Sequence, residues 1–205
     1  MAITNYSSLQ TAILSTLHRS SDSSLTTTVK DWIALAEAAM SADLKSRAME
    51  TRSNVTCTAG NAYVTLPTDY VEGRRVLLSS TTPKKALKYV TPDEITQDYP
   101  FDITGEPSVY AVIGGELQLA PVPDSTYTLE LAYVQKIPAL SDSNTTNWLL
   151  TANPNAYLYG SLVHAAVYLR NDAVLAVYRQ LYTDAIEATN TIDWYSGTSM
   201  QVRNG

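Results

Sequence analysis

Cys57 is the lone cysteine in 205 residues. An intrachain disulfide and a cysteine-built metal cluster are thereby excluded, and a reducing intracellular setting fits. Two histidines, His18 and His164, are too few and too far apart for a multi-histidine metal signature. Charged residues make up only 17% of the chain, and the 14 basic ones form no run. Against 20 acidic residues they leave a net charge of −6, which argues against tight, sequence-specific DNA binding. Passive contact with nucleic acid at a wall that must not hold it stays compatible with that balance. No apolar stretch approaches the about 18 residues of a membrane span. The start MAITNYSSLQ has no basic segment followed by an apolar one, so the expectation is a soluble, unprocessed, cytoplasmic product.

Apolar residues nevertheless reach 45%, enough at 22.4 kDa for one full core or two small ones, and one compact body with appendages is expected. The large rings are unusual: fourteen tyrosines stand against one phenylalanine. Each tyrosine hydroxyl needs water or a partner, which suits half-buried sheets and subunit interfaces better than a dry core.

Helical spacing of Ile3, Leu9, Ile13, Leu14 and Leu17 predicts a first helix, ending in the serine-rich run from Ser20 to Ser24. Thr28 and Asp31 resemble a weak capping box for a second helix, with apolar positions from Val29 to Leu44 and an end near Lys45. From Arg52 the period changes to two. Short strands are predicted around Val55 and Cys57, at Tyr63 to Leu66, Val76 to Leu78 and Ala86 to Val90. Thr91 caps a brief helix opened by Pro92. Val109 to Ile113, Glu116 to Ala120 and Thr126 to Val134 read as antiparallel strands, the first two joined by a primed turn at Gly114-Gly115. Trp148-Leu149-Leu150 is an apolar plug whose Trp148 is expected to bury and to set where the last helix begins. Asn153 and Pro154 then open a periodic element of roughly 35 residues, interrupted at Asn171-Asp172. Ser196 to Gly205 lose that periodicity, as a mobile tail or a segment ordered by a neighbour does.

Candidate chemistry is sparse. His164 lies on an apolar helix and reads as a hydrogen-bonded core or interface residue, and His18 as a helix C-terminal residue near the dipole. Cys57 sits in an alternating β segment, as ordinary sheet packing requires. Gly114-Gly115 lacks the lysine and following helix of a phosphate loop. The carboxylates Asp93, Glu94 and Asp98, like Asp69 with Glu72, read as solvated loops and helix starts. No catalytic residue, metal ligand or cofactor is therefore assigned. Arg74 and Arg75 form the adjacent arginine pair, with Lys84, Lys85 and Lys88 nearby. They mark either a wet strand edge guarded by lysines or a contact with an acidic neighbouring subunit. Trp194, Tyr195, Met200 and Val202 are the apolar anchors around the tail that a partner groove would take.

Six segments recur in an order that carries a resemblance: Trp32 to Glu37 (W-x-x-L-A-E), Tyr63 to Tyr70 (YVTLPTDY), Gly105 to Tyr110 (GEPSVY), Glu116 to Pro121, Thr145 to Leu150 (TTNWLL), and Pro154 to Gly160. Together, over roughly Val29 to Ala188, they resemble the adaptor, or head-to-tail connector, proteins of tailed bacteriophages. The resemblance implies a non-enzymatic virion subunit of the neck, assembled in the host bacterial cytoplasm. It implies a self-association into a twelvefold ring beneath the portal protein, extending the DNA channel and docking tail or further neck proteins. Packaged double-stranded DNA would be touched only passively, and no membrane is involved.

The expected fold class is α+β, a helical bundle from N- and C-terminal helices with a central antiparallel β-containing portion. Residues 1–50 are expected to be N-terminal helices, 51–137 β-rich, 138–195 helices packing with the first, and 196–205 a flexible or partner-ordered tail. Two other readings are a tail-side or baseplate structural protein, betrayed by rings of another order, and a small hydrolase, betrayed by a closed pocket with convergent polar groups.

Overall fold

A computed structural model describes residues 2–44, 46–99 and 103–195, with side chains described as far as residue 191. The chain divides into two compact units, Met1–Ala48 with Ile137–Gly205, and Met49–Lys136.

The first unit is helical: α1 (Tyr6–Thr16), α2 (Leu25–Asp43), and, after the second unit, α4 (Trp148–Ala152), α5 (Pro154–Tyr168) and α6 (Asp172–Tyr195). Asn5 caps α1 in a reciprocal box with Ser8, so the helix begins after Ile3 rather than at it. It ends in a turn with His18 at φ 55°, where the amides of His18 and Arg19 reach back to the carbonyls of Ser15 and Leu14. The same geometry closes α5 at Arg170, φ 53°, and makes the expected break before α6. Helix α2 does not start at a Thr28 cap. A turn at Asp22, whose carboxylate accepts from the Ser24 amide, leads straight into buried Leu25, leaving Thr28 inside the helix.

Helices α2, α5 and α6 pack together around Trp32, Ile33, Met40, Tyr157, Leu162 and Ala165. Gly160 makes the close approach possible: a Cβ there would lie 3.2 Å from the Ala36 Cβ and 3.3 Å from the Tyr182 ring. Asn153 stands at the start of α5, yet its amide caps no backbone of its own helix. It donates instead to the Ala185 carbonyl and the Thr189 hydroxyl of α6, at 2.9 and 2.8 Å.

The second unit holds β1 (Glu50–Cys57), β2 (Tyr63–Thr65), β3 (Tyr70–Leu78), β4 (Lys85–Ala86), β5 (Lys88–Tyr89), α3 (Pro92–Asp98), β6 (Thr104–Gly105), β7 (Val109–Ile113), β8 (Glu116–Ala120), β9 (Val122–Pro123) and β10 (Tyr127–Gln135). One sheet runs β1-β10-β3-β4 and another β2-β8-β7-β5, while β6 and β9 form a small pair. Side chains from both larger sheets share a core: Val76, Leu78, Leu129 and Leu131 from one, Val64, Leu117, Leu119 and Tyr110 from the other. In β10, Leu129, Leu131 and Tyr133 are buried and their neighbours are not, the alternation of a one-sided strand.

Two details depart from the sequence reading. The run Ala86 to Val90 is not one strand; buried Leu87 marks the point where the chain leaves the first sheet at β4 and joins the second at β5. The β5–β7 and β6–β9 pairs are parallel, so the otherwise antiparallel β portion is mixed. Gly114 and Gly115 take φ of 57° and 88°, as a primed hairpin turn demands, and Thr91 caps α3 as expected, with Glu94 completing a reciprocal capping box. The fold is α+β, N- and C-terminal helices flanking a central β portion. Among the described residues no helix is long and apolar enough to cross a membrane.

Candidate assembly surfaces

A buried, hydrogen-bonded polar node lies inside the helical unit. Glu37 occupies the buried face of α2, one turn after Ile33 and just before Met40, and its carboxylate accepts the Leu140 amide at 2.8 Å and the Tyr157 hydroxyl at 3.0 Å. Asn147 completes the node. Its amide donates to the Tyr157 oxygen and to the Pro138 carbonyl, and its side-chain oxygen accepts the Leu150 amide to cap α4. Burial is the main cause that raises the Glu37 carboxyl pKa above its ordinary value, with the two hydrogen bonds opposing. Neither Glu37 nor Asn147 nor Tyr157 was singled out as a site residue from sequence. The available signal was Glu37 itself, an acid at core spacing in an apolar helix face.

Arg74 and Arg75 project from β3 among carboxylates of their own sheet. Arg74 lies 3.5 Å from Glu50 and 3.3 Å from Glu72; Arg75 lies 3.9 Å from Glu130, which Lys84 also reaches at 3.0 Å. The Lys84 hydrogen bond is the chief reason the Glu130 carboxyl is held below its ordinary range, with the charges of Lys84, Arg52 and Arg75 adding to it. Trp194 and Tyr195 fall in the last turn of α6, and Met200 and Val202 lie outside the described residues.

Two clefts of the helical unit are open and polar. One of about 680 Å³ follows α1 and is lined by Ser15, His18, Arg19 and Asp22 among others. Its serine, histidine and aspartate do not form a triad: Asp22 accepts from Ser24, and among the described residues His18 donates to neither serine nor acid through its ring. A second, of about 490 Å³, lies where the ends of α1 and α5 meet α6. Cys57 is buried, its thiol pushed up by that burial and directed at the Tyr127 carbonyl, the opposite of an activated nucleophile. His164 is half-buried and burial pushes its imidazole pKa down, but it has no hydrogen-bond partner among the described residues, contrary to the expected hydrogen-bonded role. Its buried neighbours on α5 are Gly160, Ser161, Leu162, Ala165 and Ala166, of which only Ser161 has a polar side chain, and that hydroxyl is itself without a partner among the described residues. Asp69 is structural, accepting the Tyr133 hydroxyl at 3.0 Å. Among the described residues no group of three His, Cys, Asp or Glu is placed to hold a metal ion.

Trp148 is only half-buried, and it is Leu149 and Leu150 that enter the core. Asn147, not the indole, sets where the short helix begins. Three of the six segments that carry the family resemblance come together here: Glu37 belongs to W-x-x-L-A-E, Asn147 to TTNWLL, and Tyr157 and Gly160 to the stretch opening α5.

No curated protein matches the chain. The model of the SU10 adaptor protein family matches residues 4–203, nearly the whole length and both units. The chain belongs to the SU10 adaptor protein family and is a structural, non-enzymatic adaptor of the phage neck, where head and tail are connected.

Proposed function

We propose that twelve copies of the chain close into a ring beneath the portal protein, extend the channel for packaged DNA and present the next docking surface to tail or further neck proteins. The family match over residues 4–203 is the observation that carries this reading. Charge supports the channel role: twelve copies at −6 sum to −72, and an acidic wall lets a polyanion slide without trapping it. Arg74, Arg75, Trp194, Tyr195, Met200 and Val202 are proposed as contacts between subunits or with the portal. Assembly takes place in the host bacterial cytoplasm, before the tail is attached. Electron microscopy of particles carrying a labelled subunit tests the proposal. A label between portal and tail with twelve copies supports it; a label at the baseplate, or a ring of another order, overturns it in favour of a tail-side protein.

A further inference from the structure

We infer that the outer edge of β1 receives residues 198–203 of a neighbouring copy as an added strand. The inference rests on the ring reading above.

Strand β1 has eight residues and ends its sheet, paired to β10 on one side only. The other outer strands of the two larger sheets are short, three residues in β2 and two each in β4 and β5. Brevity protects those edges. Nothing comparable protects β1. It contains no proline or lysine, its charged residues Glu50 and Arg52 sit at its start, and its register with β10 runs without a bulge. Among the described residues no backbone hydrogen bond reaches its outer side. In an antiparallel ladder alternate residues turn N–H and C=O outward, so about four residues of β1 offer both groups to a further strand.

Burial shows the same incompleteness. Leu129, Leu131 and Tyr133 of β10 are buried, while their partners Val55, Ser53 and Thr51 on β1 are half-exposed. One more strand would cover that face.

The carboxy-terminal sequence has the pattern such a strand needs. Thr198, Met200 and Val202 alternate with Ser199, Gln201 and Arg203, so an extended chain carries β-formers and apolar groups on one side and polar groups on the other. The first set matches the core side of Thr51, Ser53 and Val55; the second falls on the polar face of Glu50, Arg52 and Asn54. Ten residues follow Tyr195, the last of α6, and when extended they span about 33 Å. Pairing of β1 with β1 of another copy would close a two-fold dimer and consume the edge, whereas edge-to-tail pairing is head-to-tail and propagates around a ring.

The test mixes two full-length proteins, one carrying Ser53→Cys and the other Met200→Cys, under mild oxidation, with the parent chain as control for buried Cys57. A disulfide joining the two introduced thiols across copies is expected, and Thr198→Cys or Val202→Cys in place of Met200→Cys fixes the register. Alternate β1 amides of the full-length parent should exchange slower by at least about tenfold in the ring than in the unassembled chain. Rings seen by electron microscopy whose β1 amides exchange as fast as in free subunits would overturn the strand addition and leave the ring standing. So would a single chain carrying both Ser53→Cys and Met200→Cys that closes only within itself on dilution, or β1 protected solely when portal protein is added. A chain that neither forms rings nor protects β1 defeats both readings.

Discussion

Tyr157 donates its hydroxyl to the Glu37 carboxylate at 3.0 Å across 120 residues of sequence, joining α5 to α2 at the same oxygen that holds the Leu140 amide. A carboxylate in this position anchors three pieces of the helical unit: the second helix, the connector that follows the β-rich unit, and the helix that begins after it.

Glu37 should therefore give the helical unit a recognisable pH response. Its carboxyl is raised above the ordinary value, so the folded state binds protons more tightly than the unfolded one. The contribution is fullest below the unfolded pKa and is lost as pH rises through the folded pKa. Glu37→Gln keeps an acceptor for both donors without titrating, so its urea midpoint relative to the parent should climb from acid to neutral pH. A difference that stays flat with pH would mean that the buried charge costs nothing. Glu37→Ala leaves two buried donors unpaired and should cost about 1–3 kcal/mol for each at any pH.

The connector supplies a second comparison. Leu149 is fully buried and Trp148 is not. Leu149→Ala should cost about 2–5 kcal/mol, and Trp148→Ala less despite the larger side chain. Thermal melts of the two variants decide it; a greater loss at Trp148 would place the indole, not the leucines, at the centre of this contact.

Where the signal was local, the sequence was legible. Thr91, Pro92 and Glu94 lie within four positions and announced α3; paired glycines announced the turn at 114–115; the two-residue period of Tyr127 to Tyr133 announced β10 and its buried face. What escaped was decided at a distance or by choice among equals. Ala86 to Val90 reads as one strand because nothing local says that Leu87 changes sheets. An apolar triplet does not say which of Trp148, Leu149 and Leu150 points inward. The Glu37 node needs partners 103 and 120 residues away, and only the folded chain brings them together. The resemblance segments nevertheless included three of its participants, Glu37, Asn147 and Tyr157.

Gly160 is a close-approach position whose helix propensity is poor, so packing must justify it. Its neighbours are Ala36 on one side and the Tyr182 ring on the other, at separations that leave no room for a branched side chain. Gly160→Val should lower stability by about 1–3 kcal/mol, read from the urea midpoint. Retained stability would show that α2, α5 and α6 can spread at this point without loss.

The arginine pair separates fold from assembly. Arg74 and Arg75 are half-exposed and face Glu50, Glu72 and Glu130 of the same unit, and exposed ion pairs contribute little to stability. Lys84 remains on Glu130 whatever happens to Arg75. The double variant Arg74→Ala/Arg75→Ala should therefore melt close to the parent and keep its circular dichroism spectrum. If the pair also meets an acidic neighbour, the same protein should form fewer rings, with the deficit largest at low ionic strength, where charge attraction between subunits is least screened. Ring yield measured by sedimentation over a salt series distinguishes the two roles. Parent-like assembly at every salt concentration would confine the arginines to their own sheet, whereas a large drop in melting temperature would make them part of what holds the β-rich unit together.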